Sequence, residues 1–167
     1  GVWCPTVWEN GTVTQLNTSD YFTEAKWVSD DGNIILGNAH NDLSNHVEAA
    51  LWLRADTGWQ VNYLGVLPGT FPGYGQAIAY DMNNAGDTIV GYNEFNWGQG
   101  TGFVWTLEQG MVSAADFLEG EGFVFPEDFQ ISTLTAISSN GAVIAGFGLP
   151  AGGFGYEGFD AIRENVS

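Results

Sequence analysis

The chain has 167 residues, of which 44% are hydrophobic and 14% aromatic, a composition that permits one folded domain with a sizeable core. Its 20 acidic residues outnumber three basic ones, so the formal net charge is -17, and such a surface repels nucleic-acid phosphates and anionic lipid. These features exclude nucleic-acid binding, and the absence of a long apolar run predicts no membrane insertion.

The first predicted element is an incomplete unit over residues 1–16. Its Thr6-Val7-Trp8 run, followed by a turn at Gly11 and by Thr12-Val13, aligns with the later segment 103–112. The alignment predicts that the chain opens with the last two strands of a four-stranded unit.

A glycine-containing hairpin then occurs three times, at residues 29–37, 83–91 and 138–146. The turn glycines Gly32, Gly86 and Gly141 are 54 and then 55 residues apart. Each copy has an apolar run before the turn and a β-branched or aliphatic run after it, which is the pattern of a β-hairpin. We therefore expect these three glycines to adopt positive φ angles.

A third and a fourth strand follow each hairpin in the first two copies. The third strand carries a tryptophan, Trp52 or Trp105, and in the third copy Ala161 occupies that position. Because both tryptophans recur in otherwise apolar strands, we expect them to be buried between neighbouring units. Apart from one possible helical turn over 112–118, the sequence has no helical periodicity.

Four-stranded units repeated at this spacing are typical of β-propeller blades. The sequence therefore predicts an all-β fold in a single β-repeat domain over residues 1–167, a β-propeller-like array of about three four-stranded antiparallel blades with incomplete blades at both ends. The predicted segments are a partial blade over 1–16 and repeats over about 21–65, 73–118 and 129–165.

Three blades are fewer than propellers usually contain. The unpaired strand edges at the two ends are therefore expected to pair with copies of the same chain or with further blades of a longer chain. Closure within one chain is the alternative.

Two segments, residues 79–91 and 102–111, resemble the HAF-type probable extracellular repeats of bacterial secreted and surface proteins. The similarity lies in an Ala-x-x-Ile-Asn-x-x-Gly hairpin followed by Ile-Val-Gly, and in an Ala-Phe-x-Trp strand followed by a Gly-Met turn. Met82 and Gly102 depart from this pattern conservatively. The resemblance implies an extracellular, propeller-like protein, and it supplies no catalytic residues.

The acidic, lysine-poor composition is also typical of secreted bacterial proteins. No Gly-x-Ser-x-Gly elbow, phosphate-binding loop or His-Glu-x-x-His motif is present. We therefore predict a non-enzymatic protein without a cofactor, a structural or adhesive module of a cell surface or matrix that self-assembles by strand pairing. A polysaccharide hydrolase or lyase is the least favoured alternative.

A third function, glycan binding, is indicated by aromatic residues set among amides in the loop 92–100. Tyr92, Phe95 and Trp97 could stack on sugar rings while the neighbouring amides bond to hydroxyl groups. The competing interpretation is that these rings pack against an adjacent unit.

Two further clusters are better explained without a metal. His40, Asp42 and His46 lie in a loop rich in Asn and Ser, where a polar surface is sufficient explanation. The segment 81–87 resembles a calcium loop, but Ala85 interrupts the ligand pattern and turn formation is favoured. Possible glycosylation sequons begin at Asn10, Asn17 and Asn165.

Overall fold

The computed structural model describes residues 4–16, 22–126, 128–150 and 157–162. In these residues the chain forms thirteen strands and one short helix, so the predicted all-β class is confirmed. The described strands form neither a closed barrel nor a complete propeller. The elements are β1 (Thr6–Glu9), β2 (Thr12–Gln15), β3 (Thr23–Val28), β4 (Ile34–Asn41), β5 (His46–Ala55), β6 (Gly58–Tyr63), β7 (Gln76–Met82), β8 (Thr88–Asn96), β9 (Gln99–Thr106), β10 (Gly110–Ser113), α1 (Ala114–Gly120), β11 (Gln130–Ile137), β12 (Val143–Leu149) and β13 (Glu157–Ile162).

Antiparallel pairing groups the strands into a hairpin and three sheets. The hairpin is β1–β2, sheet 1 is β3–β4–β5–β6, sheet 2 is β7–β8–β9–β10, and sheet 3 is β11–β12–β13. A single parallel pair, Val47 with Gln76, connects β5 to β7. Successive copies of the repeated sequence therefore form successive antiparallel sheets.

The register is the same in all three sheets. Ile35 pairs with Trp52, Ile89 with Trp105, and Ile144 with Ala161. The first strand of each sheet also contains a β-bulge at the same place, after Ala25, Ala79 and Leu134. Because a shift of one residue would turn each side chain to the other face, the shared register places the third-strand residue identically in each sheet.

The repeated turns have the predicted backbone geometry. Gly32, Gly86 and Gly141 have φ angles of 70°, 68° and 73°, in the left-handed region that glycine adopts without steric cost. In the calcium-like segment 81–87, the side-chain oxygen of Asn83 accepts hydrogen bonds from the backbone N–H groups of residues 87 and 88, at 3.1 Å each. The turn-forming interpretation of this segment is confirmed.

The described residues form three apolar core clusters, each lying between consecutive groups of strands. Trp52, fully buried, lies between the hairpin and sheet 1, where it packs with Leu16. Trp105, 8% exposed, lies between sheets 1 and 2. Ala161, 2% exposed, lies between sheets 2 and 3. The predicted burial of both tryptophans is confirmed.

Helix α1 follows β10 and packs into the cluster between sheets 2 and 3. The Ser113 hydroxyl accepts a hydrogen bond from the backbone N–H of Asp116 at 3.1 Å, which caps the first turn. Ala114, Phe117 and Leu118 are the buried residues of the helix. The helix therefore adds apolar volume at the interface where the third copy has Ala161.

Candidate functional site

The three predicted ligand-binding residues lie in three different environments. Tyr92 is half-buried and faces sheet 3, whereas Phe95 packs against the cluster between sheets 1 and 2. Trp97 lies in the turn between β8 and β9 and is 80% exposed. Tyr92 and Phe95 therefore face different neighbouring sheets, on a strand whose alternation is interrupted by a β-bulge between Glu94 and Asn96. These three aromatic rings therefore do not form one site.

Tyr92 lines a cleft of about 810 Å³ between sheets 2 and 3, which we call the sheet 2–3 cleft. Sheet 2 contributes Gln99 and Thr101 to its lining, and sheet 3 contributes Gln130 and Phe147. Among the described residues that line the cleft, none carries a charge at neutral pH. The cleft therefore combines aromatic faces with amide and hydroxyl groups.

The ring of Tyr92 rests on a glycine of the neighbouring strand. A Cβ atom at Gly100 would lie 2.5 Å from both Cζ and Oη of Tyr92, and 2.3 Å from the Asn93 carbonyl oxygen. Only a residue without a side chain allows this close approach. Sequence analysis selected Tyr92 but missed the role of Gly100, which lies diagonally from Tyr92 across the β8–β9 pair, since the direct partner of Tyr92 is Gly102.

The two walls of the cleft are joined by a hydrogen bond. The Thr101 hydroxyl donates to the carbonyl oxygen of Ile131 at 2.9 Å, from β9 of sheet 2 to β11 of sheet 3. At the bulge of β7, Tyr80 also lines the cleft, and the Lys26 ammonium lies 5.3 Å from the centre of its ring. Lys26 is paired with the Glu24 carboxylate at 2.7 Å, so its charge is compensated locally.

Trp97 belongs to a separate exposed group that we call the rim aromatics, consisting of Phe71, Tyr74 and Trp97. The rings of Tyr74 and Trp97 are 6.0 Å apart between centroids and inclined at 45°. The backbone N–H of Phe71 donates to the Phe95 carbonyl at 3.0 Å, which holds the 68–75 loop beside the end of β8. Sequence analysis missed Phe71 and Tyr74 because they precede sheet 2 in the chain.

The histidines of the first copy do not converge. His40 pairs with Val47 and His46 with Asn41 across β4 and β5, so the two imidazoles lie on opposite faces of sheet 1. His40 Nδ1 lies 3.1 Å from an Asp42 carboxylate oxygen, and His46 Nδ1 lies 3.1 Å from the carbonyl oxygen of residue 75. Among the described residues, no group of three or more His, Cys, Asp or Glu side chains is placed to hold a metal ion.

A buried carboxylate near these histidines has a structural role. Glu48 is 3% exposed, and its oxygens accept hydrogen bonds from the Gly65 backbone N–H at 2.9 Å, from the Asn41 amide at 3.0 Å and from the Ser44 hydroxyl. A buried carboxylate that is bonded in this way fixes the loops around it. It offers no open position to a substrate.

Of the three sequons, Asn10 lies in the exposed turn between β1 and β2, with a φ angle of 49°. Asn17 and Asn165 lie outside the described residues. No helix in the described part of the chain is long and apolar enough to cross a membrane.

Comparisons with protein-family models, with curated proteins and with solved structures find no match for this chain. Functional inference therefore depends on the residues and geometry of the chain itself.

Proposed function

We propose that this chain is a non-enzymatic extracellular repeat protein, a structural or adhesive module of a cell surface or matrix, whose sheets are the blades of a propeller-like array. The observation that carries the proposal is the position of the apolar core. Each cluster lies between consecutive sheets, so sheets 1 and 2 are covered on both faces. Stacked sheets of this kind are the packing of propeller blades.

Polar side chains in the repeated turns also connect one sheet to the next. The Asn84 side-chain oxygen accepts a hydrogen bond from the Asp30 backbone N–H at 2.9 Å, and the Asn84 N–H donates to the Ser139 carbonyl at 2.9 Å. In the same way, Asn38 accepts from the Ala79 N–H at 2.8 Å and Asp81 from the Ile137 N–H at 2.9 Å. These groups stabilise the stacking, which supports a scaffold rather than a catalyst.

The hairpin supports the proposal that further sheets, from copies of the chain or from a longer chain, extend the array. Trp8 pairs with Val13 in the second pair from its turn, just as Trp105 pairs with Met111, so Trp8 occupies the register position of Trp105, the residue equivalent to Trp52. Trp52 is covered by the preceding strands and is fully buried, whereas Trp8 is 75% exposed. Strand pairing at the edges is the second proposed contact, because β13 pairs only with β12 among the described strands.

Light scattering coupled to size-exclusion chromatography tests the assembly. We expect a mass above that of the 18.0 kDa chain, and a reduction towards that mass in Trp8→Ala. Leu107→Ala, an equally exposed apolar residue in the turn of sheet 2, is the control and should leave the mass unchanged. A soluble monomer at every concentration would contradict self-assembly.

The HAF-type resemblance and the acidic composition support the proposed extracellular location. A fractionation of the natural host that finds the protein only in the cytoplasm would contradict it. Incubation with extracellular polysaccharides tests the absence of enzyme activity: sustained release of reducing ends, abolished by one carboxylate substitution, would establish the hydrolase or lyase alternative instead.

A glycan-binding module is the second candidate, and the exposure of the rim aromatics favours it. Flat, solvent-exposed rings of this kind stack on the apolar faces of sugars. A glycan array should then show binding that Trp97→Ala removes. An array without binding, or binding unaffected by this substitution, would reject the rim aromatics as a glycan site.

A further inference from the structure

We propose that the sheet 2–3 cleft binds an uncharged carbohydrate, at a site separate from the rim aromatics. This function goes beyond the structural role of the array. The cleft, about 810 Å³, is in the range of pockets that hold small organic ligands, and it is formed where two sheets meet.

The lining matches the two kinds of surface that a sugar presents. Tyr92 and Phe147 offer aromatic faces for the apolar C–H faces of a pyranose ring. Gln99 and Gln130 carry amides that both donate and accept hydrogen bonds, and Thr133 adds a hydroxyl group. Such groups suit the hydroxyls of a saccharide, each of which is itself donor and acceptor.

The charge distribution selects a neutral ligand. The formal net charge of the chain is -17, so its field repels anionic polysaccharides. The described residues that line the cleft include no cation that could counter this repulsion, and the adjacent Lys26 is already paired with Glu24. A cationic ligand would likewise find no carboxylate among the lining residues that the structure describes.

The site is largely formed in advance. The Tyr92 ring lies against the backbone of Gly100, and the Thr101 hydrogen bond to Ile131 holds the walls together. A ring that is already positioned loses little conformational freedom when a ligand stacks on it. This contact distinguishes Tyr92 from the exposed Trp97.

Isothermal titration calorimetry with neutral oligosaccharides tests the proposal, using gluco-, xylo-, manno- and galacto-oligosaccharides beside oligogalacturonate and hyaluronan fragments. We expect at least one neutral series to bind and both anionic series to fail. Tyr92→Ala and Gln99→Ala should each weaken that binding about tenfold, which corresponds to about 1.4 kcal/mol. Tyr92→Phe, which keeps the ring, should retain most of it.

Gln109→Ala is the matched control for Gln99→Ala, because both glutamines are exposed, Gln99 at the start of β9 and Gln109 in the turn that follows β9, and only Gln99 lines the cleft. It should bind like the unmodified chain. Failure of every neutral series, a preference for an anionic series, or equal binding by the Tyr92→Ala and Gln99→Ala variants would overturn the proposal. Binding that is lost only in Trp97→Ala would assign the ligand to the rim aromatics and would also overturn the cleft proposal. Light scattering tests the proposed structural role independently of any ligand.

Discussion

The interface between sheets 1 and 2 and the interface between sheets 2 and 3 are built on the same register but filled by different residues. In the first, Trp105 packs with Leu36 and Leu51 of the preceding sheet. In the second, the equivalent residue is Ala161, and Phe117 and Leu118 of α1 belong to the cluster instead. The repeat therefore determines where the core lies, whereas an element outside the repeat can supply the apolar side chains that fill it.

The second interface also contains aromatic residues, two of which, Phe125 and Phe129, lie outside the repeated strands. Phe125, Phe129 and Phe159 form a group with centroid separations of 5.9 to 6.1 Å, two of the three contacts being edge to face. Such pairs contribute beyond their buried area. A small residue at the third-strand position is thus compatible with a closely packed interface.

The largest expected effect is on the tryptophan interfaces. Trp52→Ala and Trp105→Ala should each lower the free energy of unfolding by about 3 to 5 kcal/mol, the usual loss for a buried aromatic. Urea unfolding monitored by circular dichroism measures this free energy for each variant and for the unmodified chain. A loss below about 1 kcal/mol would contradict the proposed packing.

Trp52→Phe is the informative control at the hairpin interface. Nε1 of Trp52 is buried and has no hydrogen-bond partner. Replacing the indole by phenylalanine removes this unsatisfied donor while it keeps much of the apolar contact. It should therefore cost clearly less than Trp52→Ala.

The next largest effect on the free energy of unfolding is expected in α1, if the helix fills the space that a tryptophan would take at the Ala161 position. Leu118→Ala removes a fully buried side chain and should cost about 2 to 5 kcal/mol. Glu119→Ala, an exposed neighbour on the same helix, should change stability by less than about 0.5 kcal/mol. Equal effects of the two substitutions in urea unfolding would show that α1 does not support the second interface.

A smaller difference in stability is expected between alanine substitutions at two equivalent turn glycines. Alanine at Gly32 or Gly86 must adopt a positive φ angle, which costs about 1 to 2 kcal/mol. A Cβ at Gly86 would also lie 2.8 Å from Ile34 Cδ1 of sheet 1, whereas nothing lies within 4 Å of a Cβ at Gly32. Gly86→Ala should therefore destabilise more than Gly32→Ala, and the reverse order would contradict the described packing of sheet 1 on sheet 2.

The sequence predicts features that depend on local pattern. Alternating apolar residues and turn glycines are sufficient to place Trp52, Trp105 and Gly86 correctly. The sheet 2–3 cleft is lined by residues that are distant in the chain, such as Tyr92 and Phe147, and no local pattern brings them together. The different orientations of Tyr92 and Phe95 also depend on the fold, because a β-bulge between Glu94 and Asn96 interrupts the alternation of β8.

The smallest expected effect concerns the residue before the turn glycine in sheets 1 and 3, whose side chain accepts hydrogen bonds within the turn. Asp31 accepts hydrogen bonds from the Ser29 hydroxyl at 2.6 Å and the Asn33 N–H at 3.0 Å, and Asn140 accepts from the Ser138 hydroxyl and the Ala142 N–H at 2.8 and 3.1 Å. The bond from Ser29, followed by those from Asn33, lowers the pKa of Asp31 below its ordinary value of 3.8.

Because the folded-state pKa of Asp31 is lower than the unfolded value, its contribution is complete at pH values well above 3.8 and is lost as the pH falls through the folded pKa. Asp31→Asn gives this turn the side chain that sheet 3 already uses and removes the titration. The variant should differ little from the unmodified chain at neutral pH and lose less stability between about pH 4 and about pH 2. Urea midpoints measured across that range check it, since all other carboxylates are common to both proteins. If both proteins lose the same stability over this pH range, the Ser29 and Asn33 hydrogen bonds do not discriminate between the charged and the neutral carboxyl group. The turns of sheets 1 and 3 would then be equivalent in their response to acid.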